Sequence, residues 1–291
     1  MLLTMEMKTR IPSATSIGDL NVMQKVAVIT GAASGIGRGL AERFAAEGMR
    51  VVIADVEEEP LAELEADLKA NGATVLAVRT DVSNAAEVEN LAARTLDTFG
   101  AVHILCNNAG VVCSRPIWEH TLADWEWVLG VNLWGVIHGI RAFVPRMLTQ
   151  GDACHIVNTA SILGLVGGSG EGIYKVSKHG VVALSETLAD ELVQKGANIQ
   201  VHVLCPGWVR TGILDSARNR PDTLQNPKVE TLPRQETIGG SRNVRAEMEA
   251  GMSPAEVAEH VYNAIQNSTF YIHTHPEHKA WIRQRMERIL A

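Results

Sequence analysis

Residues 25–37, KVAVITGAASGIG, decide the fold, because an apolar, β-branched run leads straight into TGAASGIG (30–37) and from there into a stretch of helical pattern. A strand that passes through glycines into a helix opens a βαβ unit, and each glycine has a task. Gly31 lets the chain turn, Gly35 lets the backbone approach a pyrophosphate, and Gly37 lets helix and strand pack closely. The N–H groups at the start of the helix, with its dipole behind them, suit a phosphate.

Outward from this turn the same rhythm continues. Strands are predicted at 25–30, 50–54, 74–78, 102–106, 154–159, 199–205 and 269–274, and helices at 35–48, 57–71, 84–99, 121–149, 173–195 and 254–267. Alternation of this kind predicts a parallel sheet, and strands apolar throughout must be covered on both faces. The fold class is therefore α/β, a doubly wound parallel β-sheet in a three-layer αβα sandwich. Residues 1–23 read as a flexible N-terminal extension and 24–291 as a single domain. Within it, 212–252 carries Pro221, Pro227, Pro233 and Gly239-Gly240 among many charges, the composition of a substrate lid.

Composition narrows the function. A net charge of -7 with no block of Lys or Arg argues against nucleic acid as a partner. Neither a signal peptide nor an apolar run of about twenty residues is evident, so no membrane is expected and the reading is cytoplasmic. Cys106, Cys113, Cys154 and Cys205 form no CxxC pair and read as reduced thiols.

Asp55 closes the second strand, about twenty residues beyond the glycines, where a carboxylate accepts hydrogen bonds from adenosine ribose hydroxyls and repels a 2′-phosphate. Ser34 precedes Gly35, Val56 and Glu57 follow the aspartate, and Arg38 is the only positive group near in sequence. NAD is thus favoured, with NADP possible. Farther on, Tyr174 and Lys178 stand one helical turn apart, and an ammonium beside a phenol favours the phenolate, which makes Tyr174 a candidate acid/base.

Seven motifs together carry a resemblance: TGAASGIG, Asp81 in TDVS, NNAG at 107–110, Asn132 in VNLWG, Ser161, YKVSK at 174–178 and PGWVRT at 206–211. From about residue 24 to about 272 the chain resembles the short-chain dehydrogenases/reductases. The resemblance implies a Rossmann-type domain in which Asn132, Ser161, Tyr174 and Lys178 are catalytic, the asparagine helping to hold a water that joins the lysine to a proton relay. It implies that Asp81 and Val82 meet the adenine, that Asn108, Ala109 and Gly110 line the cofactor, and that Thr211 holds the nicotinamide amide. Gly31, Ser34, Gly35, Ile36, Gly37, Asp55, Pro206, Gly207 and Val209, with Tyr174 and Lys178, complete the expected cofactor contacts. Ser161 would orient the substrate oxygen without acting as a nucleophile. Helices 121–149 and 173–195 would pack across subunits, giving a homotetramer or, next, a homodimer.

The expected reaction is hydride transfer between NAD and a secondary alcohol or ketone. Two alternatives stand beside it: an NADPH-dependent carbonyl reductase, and a non-catalytic NAD-sensing interaction protein. The small and apolar residues of 162–170 are expected to wall the pocket and suit a hydrophobic small-molecule substrate, with Trp208 near it. Trp118, Trp125, Trp127 and Trp134 read as core or interface anchors. His273, His275 and His278 invite a metal, but the ligand set is incomplete and no metal is expected.

Overall fold

The computed structural model describes residues 23–227 and 244–291. The N-terminal extension up to residue 22 and the middle of the expected lid, 228–243, lie outside the described residues. Seven strands, β1 (Val26–Thr30), β2 (Arg50–Asp55), β3 (Val75–Arg79), β4 (Ile104–Asn107), β5 (Cys154–Thr159), β6 (Ile199–Cys205) and β7 (Tyr271–His273), form one sheet in the order β3-β2-β1-β4-β5-β6-β7. Every neighbouring pair is parallel. The last strand is shorter than the predicted 269–274.

Two helical layers cover the sheet. Helices α1 (Gly35–Ala46), α2 (Glu58–Ala70) and α8 (Pro254–Gln266) pack on one face, and α3 (Ala85–Phe99), α5 (Gly135–Gln150) and α6 (Gly172–Gln194) on the other. The alternation of side chains along a strand explains why the strands are apolar at every position. In β1, Ala27 and Ile29 enter the core under α1 while Val26 and Val28 enter the opposite one; in β2, Val51 and Ile53 divide from Val52 and Ala54 in the same way. The four cysteines are free thiols.

The structure departs from the sequence expectation in three places along its helices. The single helix predicted over 121–149 is α4 (Leu122–Leu129), a π-helical turn over Gly130–Trp134, and then α5. This run, Leu122–Gln150, is long and apolar enough to cross a membrane, but half of its most apolar window is buried inside the protein. At the carboxyl end, the short α7 (Val244–Glu249) precedes α8, and α9 (Lys279–Leu290) forms where no helix was predicted. Trp281, Ile282, Met286 and Ile289 recur there at helical spacing, a signal masked by the histidine-rich stretch before it.

Because the strand order reverses between β1 and β4, the helices that follow these strands diverge and leave a crevice at their carboxyl ends. The glycine turn sits there.

Candidate active site

The turn after β1 is shaped by what its neighbours leave no room for. Gly31 has φ +64°, and a Cβ on it would lie 2.7 Å from the Ala109 Cα; a Cβ on Gly37 would lie 2.0 Å from the Gly31 carbonyl oxygen. Thr30 ties the turn to β4: its Oγ1 accepts from the N–H groups of Asn108 (2.9 Å) and Ala109 (3.2 Å). Asn108 answers by donating from Nδ2 to the Thr30 carbonyl at 3.0 Å. The first turn of α1 contains no acidic residue, and the Ser34 side chain makes no capping bond, so the positive end of the helix faces the crevice.

The crevice is a cavity of about 640 Å³. Gly31, Ser34, Gly35, Ile36, Asp55, Asp81 and Val82 line it together with Asn108, Ala109, Gly110, Tyr174, Lys178, Pro206 and Thr211. Trp125, Trp127, Leu129, Pro221 and Leu224 line another part of the wall. Asp55 is 8% exposed; its Oδ2 accepts from the Ala33 N–H at 2.9 Å and its Oδ1 from the Glu57 N–H at 3.1 Å. Each oxygen thus keeps acceptor capacity. Burial pushes the Asp55 pKa up, and the two backbone N–H groups work against that shift. The glycine turn, the uncapped helix end and this carboxylate fit the phosphates and ribose of a dinucleotide.

Asn132 occupies the π-helical turn and is wholly buried. Its Oδ1 accepts from the Val111 N–H (2.8 Å), and its Nδ2 donates to the Val111 carbonyl (2.9 Å) and to Ser177 Oγ (3.1 Å). Ser177 Oγ in turn donates to the Tyr174 carbonyl at 2.7 Å. The asparagine therefore clamps the segment after β4 to the helix bearing Tyr174 and Lys178. A π-turn inside a helix is a recurrent device at functional sites, and hydrophobic periodicity gives no sign of it.

Lys178 is buried, with Nζ 5.5 Å from the centre of the Tyr174 ring and donating to the Thr159 carbonyl at 2.7 Å. Burial brings its pKa down to about 8, and burial pushes the Tyr174 phenol up to about 12, with a hydrogen bond to Ser161 pulling the other way. Desolvation thus opposes the phenolate that the helix spacing suggests. Ser161 lies two residues beyond β5, with Oγ accepting from the Leu163 N–H at 3.1 Å; it is buried beside Tyr174 and, like Asn132, is not among the residues that line the cavity.

Several expected residues fall elsewhere. Gly37 acts beneath the turn, and Gly207 and Val209 lie behind the cleft: the Gly207 N–H donates to Thr274 Oγ1 and His275 Nδ1, and Val209 belongs to the core. The 162–170 segment and Trp208 do not line the cavity, whereas Trp125, Trp127 and Trp134 do. Among the described residues, the His/Cys/acid group compact enough for a metal is Cys113, His120 and Asp124, not the carboxyl-terminal histidines. Both Asp124 oxygens are already engaged, Oδ1 by Arg220 and Asn226 and Oδ2 by the Thr121 N–H. Arg38 is committed to Glu42 and Asp67, and the positive group brought close to Asp55 is Arg218, from the short helical turn Ile213–Asn219.

The comparisons agree with this architecture. Residues 25–222 match the short chain dehydrogenase family model. A short-chain dehydrogenase/reductase from Burkholderia phymatum, solved in complex with NAD, is 46% identical with a TM-score of 0.88 over 93% of this chain and 95% of that one. The 1-deoxy-11-beta-hydroxypentalenate dehydrogenase of Streptomyces exfoliatus is 35% identical over 93% of this chain and 90% of its own. The CLA biosynthesis dehydrogenase/reductase of Lactiplantibacillus plantarum is 34% identical over 91% and 93% respectively. Fold and cleft define an oxidoreductase of CH–OH groups that takes NAD or NADP as acceptor. The chain belongs to the short-chain dehydrogenase/reductase family.

Proposed function

We propose that this protein transfers hydride between NAD and a bulky, apolar secondary alcohol or its ketone, with Tyr174 as the acid/base. The observation that carries this reading is the placement of Tyr174 and Lys178 in one cavity that also holds the Asp55 carboxylate and the wall of Trp125, Trp127 and Leu224. That wall supports an apolar substrate with room for rings. A relative whose name specifies a hydroxypentalenate dehydrogenase points the same way.

NAD, when bound, would supply the acceptor for the hydride of the carbinol carbon and, in its oxidised form, a positive charge that favours the phenolate. Tyr174, as phenolate, takes the hydroxyl proton, and as phenol returns it in the reverse direction. Ser161 holds the substrate oxygen. Lys178, still mainly protonated at neutral pH, lends its charge to the phenolate, and Asn132 fixes the backbone beside it, where a water linking Lys178 to a proton relay would rest. Because the free phenol is pushed up to about 12, oxidation should quicken as pH rises and ketone reduction should not.

A preference for NAD over NADP is supported by the Asp55 and Glu57 carboxylates, which line the cavity and would repel a 2′-phosphate bound beside them. Arg218 favours the NADP reading, yet its guanidinium is already paired with Glu57. Initial rates with the two cofactors, across cyclic secondary alcohols and ketones of graded size, test the assignment; a clear NADPH preference would overturn the role of Asp55. We further propose a cytoplasmic homotetramer, supported by exposed Val176 and Val193 on α6 and Trp134 at the start of α5. A monomer in sedimentation would contradict it.

A further inference from the structure

The segment that follows Thr211 reaches back across the cleft to the turn after β2. From Arg218, Nε donates to Glu57 Oε1 and Nη2 to Oε2, both at 2.8 Å, while Nη1 donates to the Gly212 carbonyl at 3.2 Å. The fork joins residues 161 apart in sequence. On one side stand Asp55, Val56 and Glu57, on the other Gly212, Ile213 and Asn219, and all six line the same cavity. Asn219 adds a hydrogen bond to the Glu57 carboxylate, and the other ties of this segment run elsewhere: Ser216 Oγ accepts from the Val112 N–H, Arg220 and Asn226 hold Asp124 of α4, and Asp215 pairs with Arg245 of α7.

Two properties fit this pair to a gate rather than a fixed brace. A guanidinium meets a carboxylate through two parallel bonds, which sets its direction, whereas side-chain exposures of 40% for Arg218 and 19% for Glu57 let water compete and keep the pair breakable. Neutralising Glu57 also serves Asp55, whose ionisation is opposed first by burial and further by the charge of Glu57.

We propose that Glu57 and Arg218 are positioning residues that latch the 212–219 segment over the ribose-binding end of the cleft and set the rate at which the dinucleotide leaves. The latch rests on the reading of the cleft as a NAD(H) site. Parting the pair frees one wall of that end without touching Tyr174 or the tryptophan wall. It therefore acts on nucleotide exchange and leaves the handling of alcohol to other residues.

NADH displacement followed by stopped-flow fluorescence tests this on the wild-type protein, Arg218→Ala, Glu57→Gln, their combination, Arg218→Lys and the exchange Glu57→Arg with Arg218→Glu. Each single loss should speed NADH dissociation about three- to tenfold, raise KM for NAD in step, and leave KM for the alcohol and the thermal midpoint nearly unchanged. The combined variant should be no faster than either single one. Arg218→Lys and the exchanged pair should recover part of the slow release, and high salt should speed the wild type more than Arg218→Ala. Unchanged dissociation in the single variants, or additive effects in the combined one, would overturn the latch. If wild-type protein bound no NADH, the cofactor assignment itself would fall, and the latch with it.

Discussion

The two walls of the cleft are held by different means. On the glycine-turn side, Gly31, Asp55 and Asn108 are fixed by backbone groups and a half-buried amide: Asp55 accepts two N–H groups, and Asn108 binds the Thr30 carbonyl. On the facing side, residues 212–227 are held chiefly by side chains of opposite charge, Arg218 on Glu57 and Arg220 on Asp124. A wall made of backbone bonds has one geometry. A wall made of ion pairs can be loosened one pair at a time, and its sequence can vary with the substrate while the dinucleotide side stays as it is.

Substitution of Gly37 by Ala should break the first wall most severely. The added methyl would lie 2.0 Å from the Gly31 carbonyl and 2.7 Å from Asn108 Nδ2, so backbone must move. A loss of about 4 kcal/mol or more is expected in urea unfolding, together with loss of NADH binding. An unchanged unfolding midpoint would show that the turn is softer than its packing implies.

Arg220→Ala should do nearly as much harm to the facing wall. Asp124 is fully shielded, and although burial opposes its ionisation, the Arg220 and Asn226 hydrogen bonds hold its carboxyl well below the usual range. Removing this arginine leaves the buried carboxylate with only the looser contact of Arg115 at 3.9 Å, a cost of about 3 kcal/mol. The Trp127 ring, over which Arg220 lies, should loosen too, so KM for a bulky alcohol should rise more than KM for NAD.

Acid should probe the interior of the sheet. His202 Nδ1 donates to the Thr269 carbonyl at 2.7 Å, so its Nε2 accepts from His155 Nδ1 at 3.0 Å, and both rings are buried and neutral. Burial pushes both pKa values well below 6.5. The unfolded chain takes up these protons first as pH falls, so stability is full above pH 6.5 and declines below it, by up to about 1.4 kcal/mol per pH unit for each histidine. Urea midpoints measured from pH 8 downward should show the decline, and His155→Phe should reduce its slope.

The smallest effect should come from Arg245→Ala, which removes an exposed pair with Asp215 at the outer edge of the facing wall. The thermal midpoint should not move measurably. A drop of several degrees would mean that this edge is more firmly built than its exposure indicates.

This contrast also explains what the sequence could reveal. The glycine turn, Asp55 and the Tyr174-Lys178 pair were legible because each is bound to a periodic element or to a spacing that backbone geometry dictates, whereas Asn132 came only from the family resemblance. The π-helical turn was not, since one extra residue in a helix leaves the apolar pattern almost unchanged. Arg218 and Arg220 escaped because their partners, Glu57 and Asp124, lie 161 and 96 residues away and their own segment has no period. The tryptophans on α4 were visible as residues, but whether such a ring faces core or cleft depends on the helix rotation, which the break at Gly130 alters.

The central claim is that Tyr174 handles the proton for hydride transfer in a cleft built to hold NAD. Its most direct test is Tyr174→Phe, assayed for NAD-linked oxidation of the best secondary alcohol found for the wild type, alongside NADH binding by fluorescence. The account predicts that turnover falls by about a hundredfold or more while NADH binding and the thermal midpoint stay close to wild type; undiminished turnover with NADH still bound would contradict it.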